Sequence, residues 1–287
     1  MATTVTAEIV GEDVVRDEAE AALLRAIGWF DVVERTCSRF LDDSELMHVL
    51  RQVGRPVPAS PLLCGVVDLA LAAAAVSGGA FDPTVGAALA ARGFDRAYQS
   101  GARVSYASVE AAATYRDVSV DLECHTITIR RPLILDLGAV AKGLAVDLAV
   151  RELAPFHDFA VDAGGDMFLG GLNTLGQPWS VGIRHPREDG AVIETISVSD
   201  AAVCTSGDYE RRQTGADGHH LIDPRTGRPA GALASVTVRA PTAVAADMLA
   251  TAAFVLGADA GLALLEAEGV AGLMFTPDLE RSATRSW

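Results

Sequence analysis

Phe159-Ala160-Val161-Asp162-Ala163-Gly164-Gly165-Asp166-Met167-Phe168-Leu169-Gly170-Gly171 is the stretch at which the pattern of this chain changes. Before it, apolar residues recur mainly at helical spacing. From residue 159 onward they come in short runs, at 159–162, 179–183, 192–198, 202–205 and 235–239, separated by Gly, Asn and Asp clusters. That punctuation predicts strands joined by turns, in an antiparallel meander. The glycine pairs 164–165 and 170–171 permit close backbone approach to a ligand and serve tight turns equally well.

Working outward, Val15, Ala19, Ala22, Leu23, Ala26, Ile27, Phe30 and Val33 give the 3.6-residue period of a helix over about 13–35. A second helix has Ser60 as its cap, Pro61 in its first turn and Gly78-Gly79 at its end. Almost everything between these signals is apolar, which predicts a central rather than an amphipathic helix. Residues 126–137 read as strands broken at Arg131-Pro132, and Gly138 leads into a helix over about 142–153. Downstream, a helix carrying Asp247 and Thr251 stops at Gly257, followed by a helix over 260–268 and a strand over 270–276. The tail 281–287 is expected to fray. Strands in runs with helices grouped between them give an α+β fold, antiparallel sheets packed with central apolar helices.

The chain has 287 residues, half of them hydrophobic, enough for a full core. No linker or repeat divides it, so a single domain over 1–287 is expected. A formal net charge of −15 argues against nucleic acid or an anionic membrane as main partner. An anionic ligand would need local compensation from a metal, a helix N-terminus or a placed Lys. Cys37, Cys64, Cys124 and Cys204 are scattered and read as free thiols. The N-terminal residues show neither a basic region nor an apolar core of a secretory signal, so the sequence as it stands reads as cytoplasmic. Its most apolar stretch, 62–76, is too short for a membrane span.

Several segments carry groups suited to chemistry. Asp247 and Thr251, four apart on a helix, project from one face as two hard oxygen ligands that suit Mg²⁺ better than zinc. A capped or solvated pair is the alternative. Asp136-Leu137-Gly138-Ala139-Val140-Ala141-Lys142-Gly143 lies at a strand-to-helix junction, where unpaired backbone groups can face an anion. Lys142 can answer a phosphate and a carbonyl near Ala139 can bind a cation; a capped helix with a solvated lysine explains the same residues. In Gly79-Ala80-Phe81-Asp82-Pro83-Thr84, Phe81 fits the core, whereas the carboxylate of Asp82 stands in a segment poor in charge. His219-His220-Leu221-Ile222-Asp223-Pro224-Arg225-Thr226-Gly227 combines a His pair with a turn, and a His beside a metal-bound substrate is a natural general base. No G-x-S-x-G elbow, P-loop or dinucleotide glycine pattern is present.

Taken in order, these segments resemble the ApbE family of FAD:protein FMN transferases. Ser38-Arg39-Phe40 with Ser44-Glu45-Leu46 is similar to its early serine/aromatic motif. Residues 79–86 resemble G-A-F-D-P/I-T-V-G, 136–143 D-L-G-x-x-A-K-G, 163–166 A-G-G-D and 205–207 T-S-G. Residues 220–227 resemble H-I-I-D-P-x-T-G and 246–252 A-D-A-L-A-T-A, with Met248 in place of a small residue. The resemblance implies Mg²⁺ held by the Ala139 carbonyl, Asp247 and Thr251. It implies FAD along Ala80, Phe81, Asp82, Asp136, Lys142 and His220-Leu221-Ile222, with Phe40 as a further contact. The activity it implies is Mg²⁺-dependent transfer of FMN from FAD to a Thr or Ser hydroxyl of an acceptor protein, with release of AMP and with His220 as base. A metal-dependent FAD pyrophosphatase and a non-catalytic flavin-binding protein are the alternatives. His220, Asp247 and Thr251 together argue against the last, because binding alone needs no base beside a metal.

Overall fold

Alternation along residues 201–207 sets the architecture. Ala202 and Cys204 enter one apolar cluster, while Val203 between them enters another. A strand with period-two side chains buried on both faces must lie between two layers. The computed structural model describes residues 3–11, 15–96, 101, 103–104, 106, 109–110, 113–210 and 218–287. Its elements, in chain order, begin with β1 (Val5–Ile9), α1 (Arg16–Cys37), α2 (Glu45–Leu50), β2 (Pro56–Pro58), α3 (Pro61–Val76) and α4 (Gly86–Ala91). Next come β3 (Val118–Asp121), β4 (Thr126–Ile129), α5 (Gly138–Leu153), β5 (Phe159–Ala163), β6 (Asp166–Gly170), β7 (Trp179–Arg184), β8 (Val192–Val198) and β9 (Ala201–Gly207). The chain closes with β10 (Ile222–Asp223), β11 (Arg228–Pro229), β12 (Ser235–Ala240), α6 (Ala243–Leu256), α7 (Ala258–Ala267), β13 (Ala271–Phe275) and β14 (Arg281–Ala283).

The α+β expectation is met. Among the described residues the main sheet has seven strands in the order β1-β5-β6-β9-β12-β13-β14, with antiparallel neighbours throughout. Helices α5 and α6 cover one face in the larger cluster. The β7–β8 hairpin covers part of the other through Val181, Ile183 and Val198, packed with Val203, Leu273 and Phe275. The meander expectation is therefore corrected: β7 and β8 leave the main sheet and fold back over it. Gly164 and Gly165 form the two-residue β5–β6 turn, both at positive φ (67° and 95°), as the right-handed strand twist favours.

Helix α3 starts and stops where read: the Ser60 hydroxyl accepts from Leu63 N–H. It is not central, however. Asp68, Ala72, Ala75 and Val76 are exposed, because alanine tolerates either environment and uniform apolarity does not force burial all round. Among the described residues, α6 is the helix without an exposed position. The start expected for α1 near Asp13 lies outside the described residues. Residues 133–137 form no ladder; Ile134 makes one parallel bridge to Val85, and Asp136 N–H donates to Pro83 O at 2.7 Å. Helix α5 begins at Gly138, four residues before the expected start, so Ala139 belongs to its first turn. Nor does the C-terminus fray. β14 pairs with β13, and Trp287 Nε1–H donates to Glu194 at 2.7 Å, so pairing and one aromatic anchor hold it.

Candidate active site

Two helix-to-helix contacts organise the site. Asp147 on α5 accepts from the Ala243 and Val244 N–H groups at 2.7 and 2.9 Å, satisfying the N-terminal donors of α6. One turn earlier, Gly143 lies so close to Ala243 that a Cβ there would meet its carbonyl oxygen at 2.6 Å. Residue 143 is thus level with 243–244, and 147 lies beyond the start of α6. The helices run in opposite senses at this contact, which brings the level of Ala139 to that of Asp247. Asp247 is buried, and Thr251 follows one turn later with its hydroxyl 3.1 Å from Ser206 Oγ on β9.

Lys142 projects toward the sheet, where its Nζ lies 2.5 Å from Asp166 Oδ2 at the start of β6. Asp166 is 2 % exposed, so the pair is shielded and a carboxylate fixes the ammonium at the cavity wall. The neighbouring Cys204 thiol is pushed well above its ordinary range by burial first, then by the carboxylates of Asp166 and Asp247, with Lys142 acting in opposition. Burial therefore favours the thiol form of Cys204 over the thiolate.

Asp136 caps the first turn of α5, accepting from Gly138 N–H at 2.9 Å through Oδ1, and takes Arg39 Nε–H on Oδ2 at 2.6 Å. Asp82 turns inward: it accepts from the Thr84 N–H and hydroxyl and from Tyr115 N–H. Its carboxylate shapes the loop that follows α3, leaving Ala80 and Phe81 beside the cavity.

The two histidines divide. His219 is buried; its Nε2 lies 2.8 Å from Ala230 O, its Nδ1 accepts from Leu221 N–H, and its ring meets Phe254 edge-on at 5.5 Å. Donating through one ring nitrogen and accepting through the other defines a neutral imidazole with a structural task. His220, next in sequence, lines the cavity with Leu221 and Ile222. Asp223 accepts from the Arg225 backbone and side chain to hold the β10–β11 turn read from sequence.

All the residues singled out from sequence line one cavity of about 1200 Å³: Phe40, Ala80, Phe81, Asp82, Asp136, Ala139, Lys142, His220, Leu221, Ile222, Asp247 and Thr251. Sequence reasoning gave no role to Arg39, Asp147, Asp166 or Tyr209. Arg39 and Asp166 stand inside the quoted motifs, which was the available signal. Tyr209 lines the cavity against Gly207; burial, then Glu210, pushes its phenol up to about 12, so it stays protonated. Among the described residues no cluster of three or more His, Cys, Asp or Glu forms a metal cage. Ala139, Asp247 and Thr251 line the same cavity and can offer only oxygen donors, the chemistry that a hard cation such as Mg²⁺ takes.

The sequence profile of the ApbE family matches residues 1–274. The chain belongs to the ApbE family. A relative from Treponema pallidum named FAD:protein FMN transferase is 38 % identical over 290 residues, spanning 91 % of this chain and 78 % of its own. The solved flavin transferase ApbE from Vibrio cholerae superposes with a TM-score of 0.84 at 29 % identity, over 100 % of this chain and 95 % of that one. The ApbE protein of Thermotoga maritima gives 0.85 at 27 % identity, over 99 % and 97 %. The family resemblance read from the motifs and the fold of this ApbE protein agree. No helix among the described residues is long and apolar enough to cross a membrane.

Proposed function

We propose that this ApbE protein transfers FMN from FAD to a Thr or Ser hydroxyl of an acceptor protein, releasing AMP, in a Mg²⁺-dependent reaction. The observation that carries the reading is the convergence of residues from 40 to 251 on a single cavity of about 1200 Å³. That volume exceeds the roughly 300–1,000 Å³ of ordinary small-ligand pockets and suits an extended dinucleotide.

Each residue has a task matched to its surroundings. Ala139, Asp247 and Thr251 would hold Mg²⁺ through oxygen. When bound, that ion supplies neutralisation of the pyrophosphate charge and of the departing AMP, which a protein of net charge −15 otherwise lacks. Lys142, fixed by Asp166, answers a phosphoryl oxygen. Ala80, Phe81, Leu221 and Ile222 provide apolar contact for the rings, and Asp136 holds the first turn of α5 toward the phosphates. His220 accepts the proton of the acceptor hydroxyl as its oxygen attacks the flavin-side phosphorus. The P–O bond to the AMP phosphate breaks, and AMP leaves. The acceptor segment reaches the cavity in extended form, so affinity for it is modest.

The test incubates the protein with FAD, Mg²⁺ and a peptide presenting an exposed Thr. Mass spectrometry should find the peptide heavier by one FMN together with free AMP. AMP and FMN without labelled peptide would make the protein a pyrophosphatase, and intact FAD would end the proposal.

A further inference from the structure

Arg39 is 3 % exposed, yet it belongs to the wall of the cavity, and the chemistry above leaves it without a task. Its three sides are committed. Nε–H donates to Asp136 Oδ2 at 2.6 Å, one terminal nitrogen donates to the Tyr106 hydroxyl at 2.8 Å, and the other donates to Phe94 O at 2.8 Å. The Tyr106 hydroxyl returns a bond to Arg39 O at 3.3 Å. The guanidinium carbon lies 4.1 Å from the centroid of the Phe40 ring. Burial works against the charge, but Asp136 and Tyr106 outweigh it, so the group stays cationic.

This arrangement does not suit a phosphate clamp. Each Arg39 nitrogen donates to a protein acceptor and the group is 3 % exposed, whereas the Lys142 side chain meets the cavity 21 % exposed. What the guanidinium does is fix geometry. A planar, weakly hydrated cation laid over one ring face holds that ring in place, and its fork joins Phe94, Tyr106 and Asp136. Phe40 is only half-buried and lines the cavity. A ring with one face covered and the rest toward a cavity is a ready stacking partner for a flat ligand ring.

We propose that Arg39 is a positioning residue that holds Phe40 as a preformed stacking platform for one of the two ring systems of the dinucleotide. The proposal rests on the flavin-transferase reading. A lysine cannot substitute, since a point charge makes neither the three-way planar contact nor the same stack.

The experiment measures FAD binding by quenching of flavin fluorescence in the wild type, Arg39→Lys, Phe40→Leu and the double variant. FMN and ADP serve as competitors that each carry one half of FAD. Arg39→Lys should weaken FAD about three- to tenfold. Competition by one half-molecule should weaken in step while competition by the other is unchanged. The double variant should bind no worse than Phe40→Leu alone, since the arginine acts through the ring. Equal weakening toward both competitors, or additive losses in the double variant, would overturn the proposal. If thermal melting shows that Arg39→Lys does not fold, Tyr106→Phe takes its place, because it removes one acceptor and leaves the Arg39–Asp136 pair intact. The same half-selective loss is then expected, and wild-type binding to both competitors overturns the idea. Wild-type protein that fails to bind FAD would instead remove the functional reading beneath it.

Discussion

Replacing Gly143 by alanine tests the contact on which the candidate site is built. A Cβ at this position would lie 2.6 Å from Ala243 O and 2.7 Å from both Ala243 C and Val244 Cα. All three are backbone atoms, so no side chain can rotate away. With ordinary contact beginning at 3.4 Å, α5 and α6 must part by most of an ångström. Overpacking of this kind costs about 1–3 kcal/mol. Against it stands a gain of about 1 kcal/mol for alanine over glycine inside a helix. A net loss of up to roughly 2 kcal/mol follows, with a melting temperature lower by up to roughly 8 °C for a chain of this size. The control is Gly28→Ala in α1, where nothing lies within 4 Å of the added methyl. There only the helix gain applies, about 0.5–1 kcal/mol, and the melting temperature should rise. Because residue 143 is one turn from Ala139, parting the helices should also weaken Mg²⁺-dependent FAD binding in Gly143→Ala and leave it intact in Gly28→Ala. Thermal melting and FAD titration with and without Mg²⁺ check both effects. A Gly143→Ala protein that melts above the wild-type temperature, as Gly28→Ala should, would refute the reasoning.

Asp247→Ala should abolish Mg²⁺-dependent FAD turnover while the protein remains folded by circular dichroism; turnover that still responds to Mg²⁺ against a chelator control would defeat the metal assignment. His220→Ala should bind FAD but transfer FMN poorly, as measured by peptide labelling rates. His219→Ala should instead destabilise the fold by about 1–3 kcal/mol through loss of its buried bonds; matching behaviour of the two variants would contradict the division between them. Glu194 sits below the ordinary carboxylate value of 4.5 because Arg281 and then Trp287 donate to it. Its folded-state value is depressed, so its contribution is present above pH 4.5 and is lost as pH falls through that lower value. The stability gap between wild type and Glu194→Gln should therefore be constant at neutral pH and close in acid, and a pH-independent gap would exclude the C-terminal latch.

What could be read from the sequence was local chemistry. Ser60 capping α3, Gly164-Gly165 turning β5 into β6, and Gly257 ending α6 each act within a few residues, and each stands where it was read. The misread tail and the misread face of α3 concern partners distant along the chain. The tail 281–287 has no strong strand pattern, yet Arg281 and Trp287 reach Glu194 on β8. The apolar run of α3 says nothing of which face meets solvent, because alanine accepts either. The motif letters supplied Lys142 and Asp166, but nothing in their spacing showed that the two would form an ion pair across the helix–sheet boundary. Asp147 lies outside every motif. Its function, capping α6, exists only once the two helices are packed.

The same physics explains why neighbouring residues at this site do different work. At the junction into β10, His219 turns to Phe254 and Ala230 while His220 lines the cavity. On α5, Gly143 takes the contact with α6 while Lys142 beside it reaches β6. On β9, Thr205 pairs with Thr237 at 2.9 Å and Ser206, on the opposite face, meets Thr251. In each pair one residue fixes the backbone against a neighbouring element and so limits where the adjacent side chain can point. A site assembled this way is stiff at the backbone and owes its geometry to residues that never meet substrate. Substitutions at Gly143 or His219 should therefore disturb FAD binding and stability together, whereas those at Asp247 or His220 should separate the two.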